Sequence, residues 1–246
     1  MKPVIALFFL CLLPWTAHAA GGHGVTLDKA GIDLQDTESL KRGAEIFVQR
    51  CLSCHSAHFM RYNRVGTDLG LSVEEVKARL IAGAAKPGDT MQAGMPAAYA
   101  NQAFGVTPPD LTLSARLRGA DWLYTYLRSF YSDEARPFGV NNVVFKDVGM
   151  PNVFWREQGQ QQGQFVTVKN GENESKALEG LKLVQPGTLT PEQFDAMIRD
   201  LVGFMVYMAE PAQLERKSLG IWVLAFIALF TFVMFLLKRE YWRDVK

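Results

Sequence analysis

At 246 residues the chain is long enough for one substantial domain with appended segments, and 26 Lys and Arg against 25 Asp and Glu leave a formal net charge of +1. That near balance, with 48% hydrophobic residues, excludes a disordered chain and a nucleic-acid binder. A globular electron carrier and an enzyme both remain open.

The N-terminus has the pattern of an export signal. Met1, Lys2 and Pro3 lead into an apolar run over residues 4–13 that stops at Pro14, and Ala17-His18-Ala19 offers a small-x-small cleavage site. The run is too short to cross ~30 Å of hydrocarbon, so residues 1–19 are expected to be a cleaved signal peptide rather than an anchor. A leader without Arg or Ser richness points to a bacterial source rather than a mitochondrial precursor. Residues 20–36 then form an N-terminal extension whose Gly-rich start makes His23 a poor ligand candidate.

A helix is expected from about Thr37, its N-cap, with Leu40, Gly43 and Phe47 on one stripe. Gly43 marks a close helix crossing. The expected partner is a helix over residues 191–209, where Thr190 and Gln193 make a capping box and Pro191 takes the first helical position. Phe194, Met197, Ile198, Leu201, Val202, Met205 and Met208 supply its buried face, so these methionines read as core.

Cys11 leaves with the signal, and Cys51-Leu52-Ser53-Cys54-His55 keeps the other two cysteines in the C-x-x-C-H pattern of c-type haem attachment. Two thiols one helical turn apart each add to a haem vinyl group, and the adjacent imidazole meets the iron. One haem c, held by two thioethers from Cys51 and Cys54 with His55 as a metal ligand, is the expected cofactor. A thiol oxidoreductase would place its C-x-x-C after a strand in an alternating β/α pattern, and a zinc site would need a second ligand pair; the sequence offers neither.

For the other axial position the residues leave two candidates, Met95 and Met150, each in a Gly-Met-Pro context, and spacing favours neither. His58 lies only three residues beyond His55 and cannot reach the opposite haem face. Residues 86–109, dense in Gly, Pro and Asn, are expected to be irregular backbone, and a helix is expected over 120–131. Residues 156–187 are rich in Gln and Gly; Phe165, Val166 and Val168, an Asn170-Gly171 turn, then Leu181, Leu183 and Val184 fit either a small hairpin or a surface loop.

Residues 218–237 contain no charge and at 1.5 Å per residue just cover a bilayer core. Arg216 and Lys217 precede them, Lys238, Arg239, Arg243 and Lys246 follow, and Tyr241 and Trp242 sit at interfacial depth. The expectation is one transmembrane helix in lipid of the bacterial inner membrane, residues 238–246 in the cytoplasm and the domain over 37–212 in the periplasm.

From about Leu40 to the C-terminus these residues resemble the cytochrome c1 family, the haem subunits of cytochrome bc1 complexes. Pro108-Pro109-Asp110-Leu111, with Arg116 and Arg118 beyond, is similar to the family's segment ahead of a haem-propionate arginine. Arg118 fits that arginine best and Arg116 next, while Pro109 is either turn chemistry or packs on the macrocycle. Val148-Gly149-Met150-Pro151 resembles the family's ligand loop and selects Met150 over Met95. Met208-Ala209-Glu210-Pro211, Arg216-Lys217 and Gly220 look like its junction between domain and anchor, whereas residues 156–187 depart from the pattern.

The resemblance implies a one-electron relay, with His55 and Met150 filling both axial positions. The donor would be the Rieske iron–sulfur protein and the acceptor a soluble cytochrome c or similar carrier, with quinol oxidised on cytochrome b rather than on this chain. Asp133, Glu134, Glu172, Glu174 and Glu179 are available to steer a basic carrier. A free-standing membrane-anchored cytochrome and a haem enzyme or gas sensor with an open distal position are the alternatives. The expected fold is mainly α: a cytochrome c-like haem domain with long irregular loops and little sheet, plus one C-terminal transmembrane helix.

Overall fold

A computed structural model describes residues 25–170 and 173–244. The expected signal segment, His23 and the Gly171 half of the expected turn lie outside them.

Helix α1, Thr37–Ile46, is capped by Asp36, whose side chain accepts from the Ser39 amide at 2.9 Å. Thr37, expected as the cap, is the first helical residue instead, because a carboxylate one position earlier reaches the same orphan amides. A π turn over Phe47–Cys51 continues α1 and delivers Cys51. The long helix packed against it, Pro191–Ala209, starts as expected: Gln193 N donates to Thr190 Oγ1 at 3.3 Å and Thr190 N to Gln193 Oε1 at 3.0 Å. Phe47, Phe204, Ile198, Leu201, Val202 and Met208 are fully buried between the two and form the centre of the core. Met205 is buried and Met197 packs at the core's edge.

The crossing point is Gly43. A Cβ there would overlap the carbonyl oxygen of Asp200 and lie 2.7 Å from its carbonyl carbon and 2.8 Å from Phe204 Cβ. The Asp200 carboxylate meanwhile takes Arg42 Nε at 2.6 Å and Nη2 at 3.0 Å, with Ser39 Oγ at 2.5 Å, and this fixes the two backbones at that spacing. Alanine is the better helix former by about 1 kcal/mol, yet backbone cannot step aside as a side chain does. We expect Gly43→Ala to destabilise the protein by about 1–3 kcal/mol, the usual cost of overpacking, measured as a fall in unfolding midpoint; a rise would mean that the helices are free to separate.

The remaining short elements wrap this pair. After the π turn come β1 (Ala57–Arg61), α2 (Tyr62–Leu69) and α3 (Val73–Arg79), and β1 pairs antiparallel with β2 (Thr90–Met91). Residues 86–109 are not wholly irregular. Besides β2 they hold α4, Ala97–Phe104, an alanine-rich helix of about two turns that follows Pro96 and stops at Gly105 with φ 74°. Residues 28–34 of the extension are packed rather than loose: Ala30 is fully buried, and its amide donates to Asp121 Oδ1 at 2.9 Å.

Beyond α5 (Ser114–Arg118), α6 (Ala120–Arg128) ends three residues short of Tyr131. The Arg128 carbonyl is taken by Gln158 Nε2 at 2.6 Å and Gln161 Nε2 at 2.8 Å, and Phe130–Ser132 becomes β3, paired with β4 (Val140–Asn142). After α7 (Trp155–Gln158) the Gln-rich segment forms a hairpin, β5 (Gly159–Asn170) with β6 (Asn173–Pro186), in the sheet order β4-β3-β5-β6. It is longer than the small hairpin expected, and gives the chain more sheet than its sequence suggests. The long helix over Pro191–Ala209 is α8. Last comes α9, Gln213–Tyr241, 29 residues that enclose the expected span and are long and apolar enough to cross a membrane. None of it is buried against the rest of the chain.

Candidate functional site

The site begins where α1 runs out. Cys54 N and His55 N both donate to the Cys51 carbonyl, at 3.1 and 2.8 Å, so one tight turn holds both thiols and the imidazole. Neither cysteine is in a disulfide; Cys51 is buried and Cys54 half-buried. Burial, then the neighbouring Cys54, pushes the Cys51 thiol up to about 12. The outer side of the turn is braced by Gly94 N on Leu52 O at 3.0 Å, Met95 N on Ser53 O at 2.9 Å, and Leu111 N on Ser56 O at 2.8 Å.

His55 Nδ1 lies 2.7 Å from the carbonyl oxygen of Pro109. A carbonyl only accepts, so Nδ1 carries the hydrogen and Nε2 keeps its lone pair, the tautomer that a metal-binding histidine needs. Burial lowers the His55 pKa, against the Pro109 bond and the nearby Asp110 charge, and keeps the ring neutral. The Pro109 loop is itself fastened. Asp110 accepts from His58 N at 2.8 Å and lies 2.6 Å from His58 Nδ1, while Thr112 N donates to its other oxygen at 2.9 Å. Burial works against the Asp110 carboxylate, but these Thr112 and His58 bonds hold its pKa below the ordinary value.

A second group gathers around α6. The Arg118 guanidinium lies 5.0 Å from the centre of the Trp122 ring, Trp122 stacks on Tyr126 with centroids 4.9 Å apart and planes at 10°, and the Tyr126 hydroxyl donates to Met150 Sδ at 3.4 Å. Arg118, Trp122, Tyr126 and Met150 thus form one continuous row. Burial raises the Tyr126 pKa, so its hydroxyl stays protonated. Arg116 belongs elsewhere: its Nη1 lies 3.6 Å from Glu210 Oε2, and Glu210 also accepts from Arg216 Nε at 2.5 Å. It lines a cavity of about 550 Å³ with Phe59, Asp110, Leu113, Ser114 and Leu117.

The loop bearing Met150 is built from side-chain bonds rather than regular structure. Buried Asn142 Oδ1 accepts from Val144 N at 2.9 Å and Phe145 N at 3.1 Å, and buried Asn141 Oδ1 from Asp147 N at 2.8 Å. Asp147 adopts φ 61°, and Arg136 Nη2 donates to its carbonyl at 2.9 Å. The two Gly-Met-Pro segments therefore keep different company, Met95 with the backbone of the cysteine turn and Met150 with Tyr126. Trp122 and Tyr126 were not singled out by the sequence, although their spacing of four puts both rings on one stripe of α6.

Among the described residues no three His, Cys, Asp or Glu side chains gather as a metal-holding group. Two cysteine sulfurs on one turn beside a neutral imidazole whose Nδ1 is engaged instead fit the protein side of a c-type haem, and the Met150 thioether and the Arg118 guanidinium lie on one row along α6.

Residues 29–245 match the model of the Cytochrome C1 family. The chain is 46% identical over 245 residues to cytochrome c1 of Allochromatium vinosum, covering 100% of both. It is likewise 46% identical over 239 residues to the ammonia monooxygenase gamma subunit of Nitrosomonas europaea, covering 97% of each. Among solved structures, a chain of a hyperthermophilic respiratory Complex III aligns with 100% of this chain and 96% of its own length at 14% identity, with a TM-score of 0.44. That likeness is too loose to bear on the site.

Proposed function

Because the chain belongs to the cytochrome c1 family, and is thereby an electron-transfer subunit of the cytochrome bc1 complex with a c-type haem, we propose that it relays electrons from the Rieske iron–sulfur protein to a soluble cytochrome c or similar carrier. Cys51 and Cys54 would hold one haem through thioethers, and His55 and Met150 would supply the ligands to its iron. When bound, the haem would supply an iron that changes oxidation state by one electron, and with His55 and Met150 both donating to it the iron would take no substrate. The observation that carries the reading is the 2.7 Å contact of His55 Nδ1 with the Pro109 carbonyl.

Each residue has its own part. Pro109 fixes the tautomer and orientation of His55, and through that bond tunes how strongly the ring donates to a metal. Asp110 keeps the Pro109 loop against the cysteine turn. Arg118, exposed beside Trp122, is free to make a charge-assisted bond to a propionate. Arg116, engaged with Glu210, ties the Pro109 side of the domain to the root of α9.

Residues 218–237 of α9 cross the inner membrane in contact with lipid and with cytochrome b, leaving the domain over 37–212 in the periplasm and residues 238–246 in the cytoplasm. Cationic Lys238, Arg239 and Arg243 after the apolar run support that orientation. Residues 1–19 serve as the cleaved signal.

Purification in a mild detergent, with the co-migrating subunits identified, tests the assembly. Cytochrome b and a Rieske protein are expected. Their absence would leave a free-standing carrier, and monooxygenase subunits in their place would give this chain the assembly named by its Nitrosomonas relative.

A further inference from the structure

A tyrosine hydroxyl withdrawn from water ordinarily finds an oxygen partner. The Tyr126 hydroxyl has none among the described residues; its one hydrogen bond goes to the sulfur of Met150 at 3.4 Å, a weak acceptor. The ring has little freedom to look elsewhere. Trp122 stacks on one face at 4.9 Å, and Phe130 meets it edge-on at 5.2 Å. The backbone is anchored too, since the Tyr126 carbonyl accepts from Asn142 Nδ2 at 2.8 Å. Asn142 also orders the chain leading into the Met150 loop through Val144 N and Phe145 N. Donor and acceptor therefore sit on one bonded unit, so the contact is built into the fold rather than met by chance.

We propose that Tyr126 is a positioning residue for Met150: its O–H bond holds the thioether in one orientation and draws electron density from the sulfur, which raises the reduction potential of the site. The inference rests on the reading of Met150 as the second axial ligand. A thioether sulfur has two lone pairs. One facing a metal leaves the other for Tyr126, and the oxidised metal, which depends more on ligand donation than the reduced one, loses more by the hydrogen bond. No proton or electron moves at Tyr126.

The test uses the full chain, matured with haem and kept in membranes, as wild type and as Tyr126→Phe. The variant should keep its attached haem while its midpoint potential falls, and the sulfur-to-iron charge-transfer band of the oxidised protein should move to longer wavelength, because an unbonded sulfur gives up an electron more easily. Potential and band both unchanged would overturn the proposal. Met150→Ala in the same membranes separates the two readings: if the band survives there, Met150 is not the ligand and both readings fall. If the band is lost there but Tyr126→Phe is silent, only the role of Tyr126 falls. Wild type in deuterated water gives a check that needs no variant, since an exchangeable donor on the sulfur shifts the iron–sulfur stretch, and an unmoved stretch also overturns the proposal.

Discussion

Replacing Cys51 and Cys54 together with serine should take covalent haem attachment from complete to none, read by mass spectrometry of the exported polypeptide. Each attachment forms a sulfur–carbon bond to a vinyl carbon while the thiol hydrogen passes to the other vinyl carbon. A serine hydroxyl is too poor a nucleophile to do the same. Either single variant retains one attachment point, and the double variant none. The opposing reading, a thiol-exchange site, needs a thiolate at neutral pH. Burial holds the Cys51 thiol up at about 12, the wrong direction for such a site. Alkylation of the mature wild-type protein should accordingly label neither Cys51 nor Cys54. Macrocycle mass persisting in the double variant, or two labelled thiols in the wild type, would refute the attachment.

What could be read from the sequence was whatever rests on local chemistry. Thr190, Pro191 and Gln193 start α8 where they do because capping involves only neighbours along the chain, and Gly43 announced a close approach because a missing side chain has few other uses within an amphipathic stripe. Failures came where distant groups decide. The helix end at Arg128 depends on Gln158 and Gln161 reaching back to its carbonyl. The full length of the hairpin is hidden because glutamines carry little strand signal, yet Gln161 satisfies the carbonyls of both Arg128 and Phe130. For the site, C-x-x-C-H is a contiguous motif, so its chemistry was legible. The Pro109 carbonyl acts 54 positions away from His55, and no pattern in the intervening residues encodes that meeting. Spacing alone did not separate Met95 from Met150 for the same reason: both have Gly-Met-Pro neighbours, so the choice rested on the family resemblance, and the fold places one beside Tyr126 and the other's backbone on Ser53.

That difference in company sets the second large effect. Met150→His should leave the haem attached, since the thioethers and His55 are untouched, but should lower the midpoint potential by a substantial part of the roughly 0.8 V that axial ligands span. An imidazole is a stronger donor than a thioether and favours the oxidised iron, which is why a His/Met pair sits high. Tyr126 would then face a ring nitrogen rather than a sulfur, and the charge-transfer band of sulfur on oxidised iron should vanish from the spectrum. Met95→His should leave both readings nearly unchanged, because Met95 meets the cysteine turn through its backbone amide on the Ser53 carbonyl, a bond that any residue but proline can make. Redox titration of both variants beside wild type decides the matter. A fall confined to Met95→His would exchange the two assignments and strip the row from Arg118 to Met150 of its role at the metal.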